Sequence, residues 1–294
     1  MSAVLQRNNV KVFGQGQQPM LFAHGYGCDQ NMWRFITPAF EDRYKIVLFD
    51  HVGHGQSDAT AFDAARHGSL QGYADDVLAI CHELNLKDVI FVGHSVSAMI
   101  GVLAAVQEPE RFERLVLIGP SPRYINDGDY VGGFKQAPEL FGALVMVGPS
   151  PRYVDDADYT GGFTRSDISG LLDSLESNHL GWSAQMAPLI MGNPDRPELG
   201  QELTNSFCRT DPGIASRFAR VTFLSDNRRD LAAVTVPTLV LQCTDDVIAP
   251  EVVGRYVHEA IPGSVFTKLA ATGHCPNLSA PEETTAAIRA FLSP

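Results

Sequence analysis

A serine hydroxyl attacks a carbonyl only when a base removes its proton, and the setting of Ser95 suggests such a group. The pentapeptide Gly93-His94-Ser95-Val96-Ser97 follows the apolar run DVIFV and precedes the small, apolar segment Ser97–Val106. A strand that turns sharply into a helix lifts a serine side chain clear of the sheet. The turn needs small residues two places before and two after, because the backbone crowds there. Gly93 and Ser97 meet that need, although Ser97 stands where a second glycine is usual. The competing reading is a helix-capping serine, which would bind backbone amides and do no chemistry.

The hydroxyl needs a base, and the base an orienting carboxylate. In sheets of this kind the chain order is nucleophile, acid, histidine. His274 follows the strand-like run VFTKL, in Thr272-Gly273-His274-Cys275. The acid should follow the preceding strand, PTLVLQ, where Asp245 and Asp246 both stand; Asp246 is favoured and Asp245 is read as a turn carboxylate. His94 adjoins the nucleophile but points elsewhere on so tight a turn. His51 and His54 have metal-like spacing, yet no carboxylate or cysteine cluster accompanies them, so a loop role is expected. An oxyanion forming on the substrate needs two backbone N–H donors. Val96, just after the serine, should supply one. Tyr26, in the glycine loop His24-Gly25-Tyr26-Gly27, should supply the other.

These residues need a scaffold that delivers them to one edge, and the outer thirds of the chain describe it. Met20–Ala23, Lys45–Asp50, Val89–Val92 and Leu115–Ile118 are short apolar runs. The amphipathic stretch Leu70–Leu84 and the apolar Ser97–Val106 stand between them. Strand runs at Pro237–Gln242 and Val265–Leu269 and helices at Val252–Ala260 and Pro281–Leu292 repeat the pattern. Unbroken apolar strands alternating with helices predict an α/β domain, with a mostly parallel central sheet flanked by helices. The core is assigned to residues 1–119 and 225–294. Residues 120–224, rich in helical spacing, Pro and Gly, are expected to form an inserted helical lid.

That insertion opens on a tandem duplication. Leu115–Phe134 returns as Leu144–Phe163, identical at fourteen of twenty positions and offset by 29. Two copies do not make a repeat architecture. The first copy is assigned the sheet position, and a helix is expected over Ala137–Val147 in the extra segment.

Bulk properties narrow the class. The chain has 294 residues, 45% of them hydrophobic, enough for a large core. Its net charge of −12 argues against binding nucleic acid, which needs clustered Lys and Arg. No secretory leader and no membrane-length apolar run is seen. The five scattered cysteines, Cys28, Cys81, Cys208, Cys243 and Cys275, read as reduced thiols in a cytoplasmic protein, not as a disulfide framework or zinc site.

The motifs AHGYGCDQNMW, LFDHVGHGQSD, GHSVSAMIG, LIGPSPRYINDGDYVGGF, LQCTDDVIAP and GHCPNLS together resemble the α/β-hydrolase superfamily. Within it they are similar to the RsbQ-type bacterial stress regulators and the plant karrikin and strigolactone receptors. The resemblance spans nearly the whole chain, and Ser97 recurs in the plant branch. It implies a catalytic triad of Ser95, Asp246 and His274, an oxyanion hole at Tyr26 and Val96, and a four-helix lid over an apolar pocket. Residues Asp167–Met186, with Trp182, match part of that lid. The pocket-edge Phe corresponds to Phe134 or Phe163, with Phe163 favoured; Phe207, Phe218 and Phe223 are further pocket candidates. The second repeat copy departs from the family, which carries one.

The leading functional expectation is a carboxylesterase or lactonase that cleaves a small hydrophobic ester through an acyl-enzyme, with no cofactor and no metal. The alternative is a small-molecule receptor with slow hydrolysis that acts through a signalling protein partner. Dehalogenase and epoxide-hydrolase chemistry would need an Asp nucleophile. Carbon–carbon bond hydrolysis and perhydrolysis keep the serine triad and stay open.

Overall fold

The computed structural model describes residues 2–125 and 165–293. The second repeat copy, the helix expected over Ala137–Val147, and both Phe134 and Phe163 lie outside the described residues. After a short helix α1 (Ala3–Arg7), the chain builds β1 (Lys11–Phe13), β2 (Pro19–Ala23) and β3 (Lys45–Leu48). Helix α2 (Leu70–Glu83), β4 (Val89–His94), α3 (Val96–Gln107) and β5 (Phe112–Ile118) follow. Among the described residues four helices are then inserted: α4 (Arg165–Ser177), α5 (His179–Met191), α6 (Pro197–Arg209) and α7 (Pro212–Leu224). The chain returns through α8 (Arg228–Leu231), β6 (Thr238–Cys243), α9 (Glu251–Ala260), β7 (Val265–Leu269), α10 (Pro276–Ser279) and α11 (Pro281–Leu292).

The seven strands among the described residues form one sheet in the order β1-β3-β2-β4-β5-β6-β7. Only β1 runs antiparallel to its neighbour; every other pair is parallel. Strands β2, β4 and β6 are buried along their whole length, as strands covered on both faces must be. The first repeat copy does supply β5, pairing Val116 with Val92 on one side and with Leu239 on the other. The sequence did not announce β1: three exposed residues at an edge carry no burial pattern to read.

The inserted helices leave the sheet through a narrow neck. Arg123, just past β5, forms an antiparallel bridge with Asp226, just past α7. Its guanidinium pairs with the Asp226 carboxylate at 2.5 Å, and Asn227 N–H donates to the Pro122 carbonyl at 2.8 Å.

Strand β4 and helix α3 meet at the single residue Ser95, which sits at φ 57°, ψ −124°. The turn brings the Ser97 carbonyl so close to Gly93 that a Cβ there would lie 2.5 Å from it. A backbone carbonyl inside a sheet-to-helix turn has nowhere to retreat. Gly93→Ala is therefore expected to destabilise the fold by about 1–3 kcal/mol, the usual cost of overpacking. Urea denaturation of the two proteins measures it, and an unchanged midpoint would contradict the packing described.

Candidate active site

Three side chains that are far apart in sequence converge above the C-terminal edge of the sheet. Ser95 Oγ lies 2.7 Å from His274 Nε2. The other ring nitrogen, Nδ1, lies 2.7 Å from Asp246 Oδ2. All three residues are buried. The Ser95 hydroxyl makes no capping bond to α3, so the helix-cap reading fails. Of the two neighbouring acids, Asp246 is the buried one; Asp245 is exposed and offers only its backbone carbonyl, which accepts from Gly273 N–H at 2.7 Å. Asp246 is held in place by its second oxygen, which accepts the N–H groups of Ile248 at 2.8 Å and Ala249 at 2.9 Å. One carboxylate thus orients an imidazole while the backbone orients the carboxylate.

The glycine loop after β2 lies against this cluster. A Cβ on Gly25 would come within 2.6 Å of His94 Nδ1 and 3.3 Å of Ser95 Cβ, so only glycine permits the approach. Neither the Tyr26 nor the Val96 N–H donates a backbone hydrogen bond to a described residue. They are the two donors expected to face a developing oxyanion.

What fixes that loop was not visible in the sequence. Ser97 Oγ donates to the His24 carbonyl at 2.5 Å and lies 2.7 Å from His51 Nε2. His51 N–H in turn donates to His24 Nε2 at 3.0 Å, which leaves His24 Nδ1 as the protonated nitrogen, donating to the Gly25 carbonyl at 2.8 Å. Ser97 is therefore more than a small residue in a tight turn: its hydroxyl ties α3 to the glycine loop. His94 does turn away from the nucleophile, and its Nε2 donates to the His274 backbone carbonyl at 2.7 Å. Buried Tyr124, from the first repeat copy, brings its hydroxyl to Ser95.

An apolar cavity stands over Ser95 and His274. The sheet loops give it Tyr26, Tyr124 and Ile248, and the inserted helices give it Trp182, Phe207 and Phe223. Trp182 stacks on Phe207, with ring centroids 5.9 Å apart and planes 18° apart, and the Tyr26 ring meets both edge-on. Phe218 corrects the sequence reading. It is not part of the cavity wall but packs behind it, on Tyr73 at 4.6 Å and His54 at 4.9 Å. Both Phe218 and Phe223 lie on α7, and helical spacing alone does not say which faces core and which faces cavity. Cys28 and Cys275 also reach the cavity, but burial pushes both thiols well above the ordinary range, so they stay protonated and weakly nucleophilic.

His51 and His54 serve the core. Among the described residues no group of three or more His, Cys, Asp or Glu side chains is arranged to hold a metal. No described helix is long and apolar enough to cross a membrane.

The model of the alpha/beta hydrolase family matches residues 20–288. The chain is 36% identical over 283 residues to Karrikin insensitive 2 receptor CA of Petunia hybrida, covering 96% of this chain and 94% of that one. It is 35% identical over 290 residues to a strigolactone esterase of Arabidopsis thaliana, covering 98% and 97%. A solved hydrolase from Oleispira antarctica superposes with a TM-score of 0.85 at 38% identity, covering 98% and 96%. The chain belongs to the α/β-hydrolase family. In this α/β hydrolase the matched segment contains the whole serine, aspartate and histidine cluster and all four described inserted helices.

The buried histidines of this hydrolase have a measurable consequence. Loss of hydration pushes His54 and His94 down to about 3, and His51 well below the ordinary value of 6.5. Between about pH 6.5 and 3 the unfolded chain takes up protons at these positions and the folded chain does not. Stability is therefore full above that window and falls as the pH drops through it. Each such histidine contributes at most about 1.4 kcal/mol per pH unit. The His54 ring bonds to the backbone at Val52, so His54→Leu removes a titrating group together with that one contact. The urea midpoint is expected to fall between pH 7 and pH 5, and less steeply in His54→Leu. Parallel slopes would contradict the assignment.

Proposed function

We propose that this hydrolase is a carboxylesterase or lactonase that cleaves small hydrophobic esters through an acyl-serine. The observation that supports it most is the unbroken chain of 2.7 Å contacts from Asp246 through His274 to Ser95. His274 Nε2 takes the Ser95 proton as Oγ bonds to the substrate carbonyl carbon. Negative charge then develops on the carbonyl oxygen, where the Tyr26 and Val96 N–H groups stabilise it. Asp246 favours the imidazolium that forms and fixes its tautomer. Collapse expels the alcohol, which takes its proton from His274. Water, deprotonated by the same imidazole, frees the acid and restores Ser95. The cycle uses only side chains and backbone of this chain.

In this reading α4–α7 act as the lid of the core domain, and their aromatic residues select apolar substrates. The unpaired cysteines fit a reducing compartment such as the cytoplasm. Hydrolysis of p-nitrophenyl acetate and butyrate is expected to be lost in Ser95→Ala. Asp246→Asn should lower kcat by about 10⁴, because the wrong tautomer then faces Ser95. Equal rates for wild type and Ser95→Ala would refute the proposal.

A receptor reading is supported by the relatives named as karrikin receptors. There the same cavity binds a small molecule, slow hydrolysis follows, and a signalling protein partner reads the occupied state. Affinity capture with and without a ligand that protects the protein against thermal unfolding separates the two; a partner retained only with ligand favours the receptor.

A further inference from the structure

Two hydroxyls in the cavity have no use in the chemistry above. Tyr26 and Thr222 both line it, both are at least nine-tenths buried, and neither hydroxyl has a hydrogen-bond partner among the described residues. Elsewhere in the fold, two helical threonines satisfy themselves by bonding the carbonyl four residues back: Thr204 to Gly200 and Thr284 to Ala280, each at 2.9 Å. Thr222 makes no such bond, although its helix offers the same acceptor. The Tyr26 ring is enclosed by Trp182, Phe207, Phe218 and Phe223, none of which accepts a conventional hydrogen bond at that hydroxyl. Two other buried hydroxyls, those of Tyr73 and Ser279, also lack partners, but neither residue lines the cavity.

An unpaired buried hydroxyl is costly to keep, and in an otherwise apolar wall it is the group that gives a pocket its selectivity. We propose that the Tyr26 and Thr222 hydroxyls form a polar subsite for a second oxygen of the ligand. The proposal rests on the ester-hydrolase reading and sharpens it. The favoured ligand is an apolar ester or lactone that carries an ether, keto or hydroxyl oxygen away from its scissile carbonyl. Tyr26 then has two separate roles: its backbone N–H faces the reacting carbonyl, and its phenol reads the remote oxygen.

Matched esters test this without turnover. In the Ser95→Ala protein, quenching of tryptophan fluorescence reports binding of phenyl pentanoate and of two analogues with one CH₂ replaced by oxygen, phenyl 3-methoxypropanoate and phenyl ethoxyacetate. At least one oxygen-containing ester is expected to bind about tenfold tighter than pentanoate, the worth of one neutral hydrogen bond. Adding Tyr26→Phe or Thr222→Val should remove that preference. A structural defect would weaken all three esters together and leave their ratio unchanged. An unchanged ratio, no preference in the parent protein, or no binding of any ester overturns the subsite. Hydrolysis of phenyl pentanoate by the protein with Ser95 intact reports separately on the esterase reading, so either can fail alone.

Discussion

A serine at φ 57° is held in a backbone conformation that side-chain-bearing residues avoid, at a cost of about 1–3 kcal/mol. The sheet sustains it. Strand β4 is clamped between β2 and β5 up to its last residues, and Ser95 N–H donates to the Ile118 carbonyl of β5 at 2.8 Å. With the strand fixed below and α3 fixed above, the one residue between them has no other conformation available. That constraint turns the hydroxyl away from the helix it would otherwise cap and toward His274. The short contacts that follow depend on it, since a relaxed turn would point the same hydroxyl elsewhere.

The scaffold was largely legible because parallel strands buried on both faces write themselves as continuous apolar runs, as VIFVGH and TLVLQC do. Ser95 and Asp246 were legible because each follows such a run, and His274 because it follows the half-exposed last strand β7; loops at strand C-terminal ends are where these sheets gather function. What stayed hidden is long-range. Ser97 meets His24 across 73 residues and His51 across 46, and no local pattern encodes either contact. Phe218 illustrates the opposite limit. Its local pattern is clear, but an amphipathic helix between a core and a cavity buries apolar residues on both sides. The sequence marks them as buried without saying against what.

Work is divided between two kinds of structure. Ser95, Asp246 and His274 stand on strand ends and on loops braced by backbone hydrogen bonds, such as those from Ile248 and Ala249 to Asp246. The cavity wall stands largely on Trp182, Phe207, Thr222 and Phe223, all from one contiguous stretch of helices. Those helices face the three side chains across the cavity and share no strand with them. The two can therefore change independently, except at Tyr26 and Tyr124, which belong to the sheet loops and reach into the same cavity.

The neck between Arg123 and Asp226 bears on how this chain tolerates its duplication. The bridge and the Asn227 to Pro122 bond close a loop whose two ends are already together, whatever its contour length. Closure entropy grows only with the logarithm of that length, so some 29 added residues cost a few tenths of a kcal/mol. Because the first copy supplies β5, Arg123 and Tyr124 before the added length begins, register in the sheet is set upstream of it. The neck works as a strain relief: growth of the chain beyond it does not pull on the strand that positions Ser95. Segments of this insertion can lengthen by copying errors while the parts that need sub-ångström placement stay where they are.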